Sequence, residues 1–182
     1  MSRLLYGFDS SLTHFGYAVA RLYGDTGVQW LACGVIVTKP SADARTKTDD
    51  SRARVEGIAR QLRTLVERHG RPSVIAVEAL ALPLGKTSLV TVSALGRCRG
   101  LIDALAVEHG LTAHEFQPQA LKALVAGARD AEKALVERKL ACTYPGLEQL
   151  LQQVKPANRE HAADAAAAIH AVVTTQSPKE TP

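Results

Sequence analysis

The sequence predicts an α/β protein, a five-stranded mixed sheet flanked by helices on both faces. Two observations predict it. Short apolar runs of strand length are set off by turn-forming residues, and longer stretches between them repeat their apolar residues at helical spacing. Their order is three strands, then helix, strand, helix, strand and further helices. It joins an antiparallel meander to crossover connections, which produces a mixed sheet with helices packed on its two sides.

The first three strands are expected at residues 4–9, 15–23 and 28–38, the last two joined through the turn-forming Gly24-Asp25-Thr26-Gly27. Residues 40–50 are polar and aperiodic, so they are expected to be a loop. Over residues 52–69, Val55, Ile58, Ala59, Leu62, Leu65 and Val66 form one helical stripe, stopped by Gly70 and Pro72. A fourth strand at 73–78 leads through a loop with Pro83 and Gly85 to a long helix at 88–108. Leu89, Val92, Leu95, Leu101, Ile102 and Leu105 would serve that helix either as core or as an interface. A fifth strand at 111–116 precedes helices at 118–126, 130–141 and 160–174. Residues 1–174 read as one domain, and the polar residues 175–182 as a flexible tail.

Composition narrows the class. The chain has 182 residues, an ordinary apolar content and a formal net charge of +4, which permits a polyanionic partner without requiring one. Cys33, Cys98 and Cys142 have no close or ligand-like spacing; they read as small buried apolar residues in a reducing compartment rather than a disulfide framework or zinc site. No apolar stretch reaches the length of a membrane span, so the expected setting is the cytoplasm. Arg52, Arg54, Arg60, Arg63, Arg68 and Arg71 alternate with acids and read as a solvated helix face.

Four side chains stand out. Asp9 and Glu78 each end an apolar strand, at the carboxyl end where sheets with parallel strands carry their chemistry. His161 and Asp164 are three apart on a helix and project from one face. Singly, Asp9 reads as a turn residue, His161 as a helix-start residue and Asp164 as a solvated charge. Together, two strand-end acids and two ligands from one helix face can hold hard divalent cations.

Five segments in order, GFDSSLTHFGYAVA, AVE at 76–78, GRCRG at 96–100, FQPQALKALVAGARDAEKALV and HAADAAAAIH, resemble the motifs of the RuvC family of Holliday-junction resolvases over nearly the whole chain. The resemblance implies a ribonuclease H-like fold and a structure-specific endodeoxyribonuclease of DNA recombination and repair. It would cut four-way junctions by paired nicks that leave 5′-phosphate and 3′-hydroxyl ends. It also implies Asp9, Glu78, His161 and Asp164 as catalytic and metal-binding residues, two magnesium ions per site with manganese as a substitute, and Lys122 and Lys133 at the DNA, with Arg97 and Arg99 as weaker candidates. A homodimer is implied as well, with a branch-migration helicase as a partner to look for. The sequence departs from the family in three places. Ser10-Ser11 stands where Pro-Gly is usual. ALALPLGKTS, with Leu80, Leu82 and Leu84 but no aromatic, follows Glu78. His161 replaces a more common aspartate, which should give greater relative tolerance of manganese. A non-cleaving branched-DNA binder and a nuclease of broader branched-DNA specificity remain as alternatives.

Overall fold

The computed structural model describes residues 2–25, 27–80 and 88–176. Apolar runs near the N-terminus form β1 (Ser2–Asp9), β2 (His14–Tyr23) and β3 (Gly27–Val37), followed by α1 (Lys47–His69), β4 (Val74–Glu78), α2 (Leu89–Glu108) and β5 (His114–Phe116). The remainder is helical: α3 (Pro118–Ala126), α4 (Lys133–Thr143), α5 (Pro145–Gln153), a 3₁₀ turn at Pro156–Asn158 and α6 (Arg159–Gln176). Strand order is β3-β2-β1-β4-β5, with β1 antiparallel to β2 and parallel to β4. The expected five-stranded mixed sheet is therefore present.

Because successive strand residues face opposite sides, β1 splits its side chains between two cores. Tyr6 and Phe8, with Phe15, Val19, Ile75 and Val77, pack on Ile58, Leu62 and Leu65 of α1 and on Cys98, Ile102 and Ala106 of α2. Leu5, Ala18, Ala20, Leu22, Val74 and Ala76 face the alanine-rich α6 and the helices around it. On that side helix and sheet come unusually close. A Cβ built on Gly7 would stand 2.1 Å from the Ala165 carbonyl oxygen, and one on Gly16 2.1 Å from that of His161. Only residues without a Cβ let the α6 backbone lie there.

Several boundaries differ from the sequence expectation for local reasons. Residues 47–50 are helical rather than loop, because Thr46 caps α1: its hydroxyl accepts the Asp49 N–H and donates to the Asp49 carboxylate. The fifth strand is confined to His114–Phe116. Leu111 instead closes α2, its N–H bonding the Ala106 carbonyl while Gly110 takes φ +69°. Helix α4 starts at Lys133, not at residue 130. Helix α5 was not anticipated; it is two turns long, begins on Pro145 and buries Leu147 and Leu151 one turn apart. Helix α6 continues through residues 175–176 of the expected tail, and residues 177–182 lie outside the described ones.

Two residue readings also change. Arg54 is not on a solvated face. It hydrogen-bonds Thr38 and Thr13 and pairs with Asp50, tying α1 to the open end of the β2–β3 hairpin, while Arg52, Arg60, Arg63, Arg68 and Arg71 are exposed as expected. Of the cysteines only Cys98 is fully buried; Cys33 is partly so and Cys142 is exposed, and all three are free thiols. No helix among the described residues is long and apolar enough to cross a membrane.

Candidate active site

Parallel pairing of β1 with β4, in register through Phe8 and Val77, sets the next residues Asp9 and Glu78 side by side at the carboxyl ends of the two strands. Both are on the face covered by α6, which adds Asp164 from its second turn. One carboxylate oxygen from each of Asp9, Glu78 and Asp164 lies within 4.8 Å of the other two. Three acids this close repel one another, and Glu78 shows it. Burial first, then the charges of Asp164 and Asp9, push its carboxyl up to about 8, with Lys133 and Lys122 relieving only part of the shift. Asp164 is raised too, mainly by burial.

The cationic side of the site comes from the helices. Lys133 Nζ, at the start of α4, lies 3.3 Å from Asp164 Oδ2 and 3.3 Å from Glu160 Oε2. Burial lowers its pKa, but the two acids outweigh that and leave it raised. Lys122 on α3 acts on Glu78 through its charge. His161 joins the group through Asp9: its Nδ1 is 2.6 Å from Asp9 Oδ2, a bond that raises the imidazole pKa against the opposing effect of burial. The group that gathers within 4.8 Å is thus three carboxylates, with His161 standing against one of them.

The arginines separate. Arg99 is ion-paired to Asp103 on its own helix at 3.0 Å and to Glu115 of β5 at 2.9 Å, so it braces α2 against the sheet. Arg97 is exposed. Among the described residues neither is hydrogen-bonded or ion-paired to the carboxylates. In the Ser10-Ser11 turn after Asp9, the Ser11 hydroxyl accepts the His14 N–H at 3.0 Å, and Ser10 is buried. Leu80 is half-buried, whereas Leu82 and Leu84 lie outside the described residues.

Two neighbours were missed in the sequence. Glu160 shares Lys133 with Asp164; its position directly before His161 was the only available signal. His14 stacks on His161, and nothing in its local sequence marks it. The donor set suits a divalent cation: it is all oxygen at its core, and the charges of its acids add to burial in raising Glu78 to about 8.

The family model described as Crossover junction endodeoxyribonuclease RuvC matches residues 5–173. A relative of that name from Clavibacter michiganensis subsp. michiganensis is 30% identical over 144 residues, covering 79% of this chain and 65% of the relative. This chain thus spans just under two thirds of that protein's length. Another of the same name from Heliobacterium modesticaldum is 30% identical over 136 residues, covering 74% of this chain and 76% of the relative. Among solved structures, T. thermophilus RuvC in complex with Holliday junction substrate superposes with a TM-score of 0.72 at 21% identity, covering 95% of this chain and 96% of that one.

Proposed function

Because the chain belongs to the crossover junction endodeoxyribonuclease RuvC family, we propose that it is a metal-dependent endonuclease that resolves four-way DNA junctions in recombination and repair. The observation that carries the reading is the group of Asp9, Glu78 and Asp164 at the carboxyl ends of β1 and β4, with Glu78 pushed up to about 8. A pure binding protein gains nothing by turning three repelling acids toward a polyanion. Asp9, Glu78 and Asp164, with His161 beside them, would hold the ions. Divalent cations there, magnesium with manganese as substitute, supply an activated water and charge stabilisation at the leaving oxygen.

The protein's own groups have separable tasks. The Asp9–His161 hydrogen bond fixes the orientation of the Asp9 carboxylate. Lys133, bridging Asp164 and Glu160, is placed where the charge of a scissile phosphate competes for it. Lys122 and the exposed Arg97 contact phosphates, which position DNA without reading its bases. Arg99 keeps its bracing role. The enzyme acts in the cytoplasm as a homodimer, one site for each of two symmetry-related strands. Its products carry 5′-phosphate and 3′-hydroxyl ends, and a branch-migration helicase is a partner to look for.

The deciding experiment incubates a labelled four-way junction with magnesium or manganese. The parent is expected to make paired, symmetric nicks, and Asp9→Asn to lose more than about a hundredfold in rate while still binding the junction. Binding without cutting by the parent in either metal would identify a non-cleaving binder. Equal cutting of forks and flaps would assign the broader specificity, and equal cutting by parent and variant would remove the site assignment.

A further inference from the structure

One contact beside the carboxylates has no part in the chemistry described so far. The imidazole of His14 lies parallel to that of His161, ring centroids 5.3 Å apart and planes at 3°. We infer that His14 is a positioning residue for the hydrolysis, its ring fixing the plane of His161 and thereby the carboxylate of Asp9. The inference rests on the site reading given above.

Besides its Cβ tether, the His161 imidazole has one hydrogen bond, Nδ1 to Oδ2 of Asp9 at 2.6 Å, and its Nε2 lies 3.7 Å from Oε1 of Glu160, too long for a second. Neither contact covers a ring face, so rotation of the ring about its Cβ–Cγ bond is opposed only at its edge. A flat partner on the ring face removes this rotation, because only coplanar orientations keep the stack. With Oδ2 held by Nδ1, the Asp9 carboxylate then takes its orientation from the imidazole. A catalytic group loses rate steeply when its supporting shell lets it wander.

The placement of His14 follows from the sheet. Asp9 pairs with Gly16 across β1 and β2, and strand alternation puts His14 on the same face two residues earlier. Its backbone is held by pairing with Val37 of β3 and by the N–H donated to Ser11. Gly16, next on that face, has no Cβ to keep the His161 carbonyl away, so the first turn of α6 descends until the two imidazoles meet. Among the described residues the His14 ring makes no hydrogen bond; the stack is what it offers.

The test combines two substitutions with two readouts. His14→Ala should lower the single-turnover cleavage rate at saturating junction roughly tenfold or more while leaving the junction Kd within about twofold. His14→Phe, which stacks but neither hydrogen-bonds nor ligates, should recover most of that rate. In the metal-free protein, the His161 ring-proton resonances should move in His14→Ala and return toward the parental positions in His14→Phe. Parental cleavage by His14→Ala, a His14→Phe variant as slow as the alanine, or His161 resonances unmoved by the alanine would each overturn the inference. If the parent cuts no junction, the functional reading fails, and the resonances still judge the stack.

Discussion

Burial, together with the charges of Asp164 and Asp9, carries the Glu78 carboxyl from its ordinary 4.5 up to about 8. Between those values the native metal-free protein holds a proton that the unfolded chain has released, so this group makes stability fall as pH rises across that window. Glu78→Gln has no charge to bury. The metal-free variant should therefore melt higher than the parent near pH 8, by about 3–6 °C for a gain on the order of 1–2 kcal/mol after solvent screening. At pH 5, where Glu78 is largely protonated, the two should converge. Magnesium or manganese should stabilise the parent more than the variant, and the variant should not cleave. Calorimetry at the two pH values with and without metal checks this, and a parent more stable than the variant at pH 8 without metal refutes it. The same residue shows what a sequence reveals. A carboxylate ending an apolar strand is visible in the chain, but the size of its perturbation depends first on its burial in the fold and then on Asp164, which a helix brings from 86 positions away.

At the scale of elements, α6 decides whether these residues meet. Its alanines at 162, 163, 165–168 and 171 are buried, and its backbone lies over Gly7 and Gly16. Gly7→Ala adds one methyl group 2.1 Å from the Ala165 carbonyl oxygen. Backbone cannot move aside as a flexible side chain can, so the variant should lose about 2–3 kcal/mol, measured as a lower urea midpoint with an unchanged m-value. A midpoint within experimental error of the parent would mean that α6 is free to lift. The alanine run and the three-residue spacing of His161 and Asp164 made this helix legible in the sequence. The strand ends at Asp9 and Glu78 were legible because apolar runs stop there. His14 was not, because its role needs the β1–β2 register, and a lone histidine before an apolar strand reveals no register. Arg54 was misread for the same kind of reason: its partners Thr13 and Thr38 are on the hairpin, not on its own helix. Helix α5 escaped because two turns give too few periods to show. The Thr46–Asp49 cap, by contrast, is a local pattern, a threonine with an acid three residues on, inside a polar stretch whose lack of apolar periodicity hides the helix start.

At the scale of the whole molecule, the sheet is covered by α1 and α2 on one side and by α3 to α6 on the other, and the carboxylates sit on the α6 side. The sequence left open whether the apolar residues of α2 serve as core or as an interface, and the fold divides them. Ile102 is core, Leu101 and Leu105 pack half-buried against it and Leu95 is half-buried, while Leu89 and Val92 at the start of the helix are exposed. Residues 81–87 just before them lie outside the described residues. The proposed dimer has a consequence that can be read without locating one. If each protomer cuts one strand, then in protein assembled from co-expressed parent and a large excess of Asp9→Asn nearly every dimer that retains activity has a single working site. Those dimers should nick a junction once and leave it joined, so nicked junctions should accumulate at the expense of resolved duplexes as the proportion of Asp9→Asn rises. A protein acting as independent monomers would lose total rate in proportion to dilution but keep the same ratio of nicked to resolved product at equal extent of reaction. A constant ratio across the mixing series would thus remove the two-site dimer while leaving the single-site chemistry of Asp9, Glu78 and Asp164 intact.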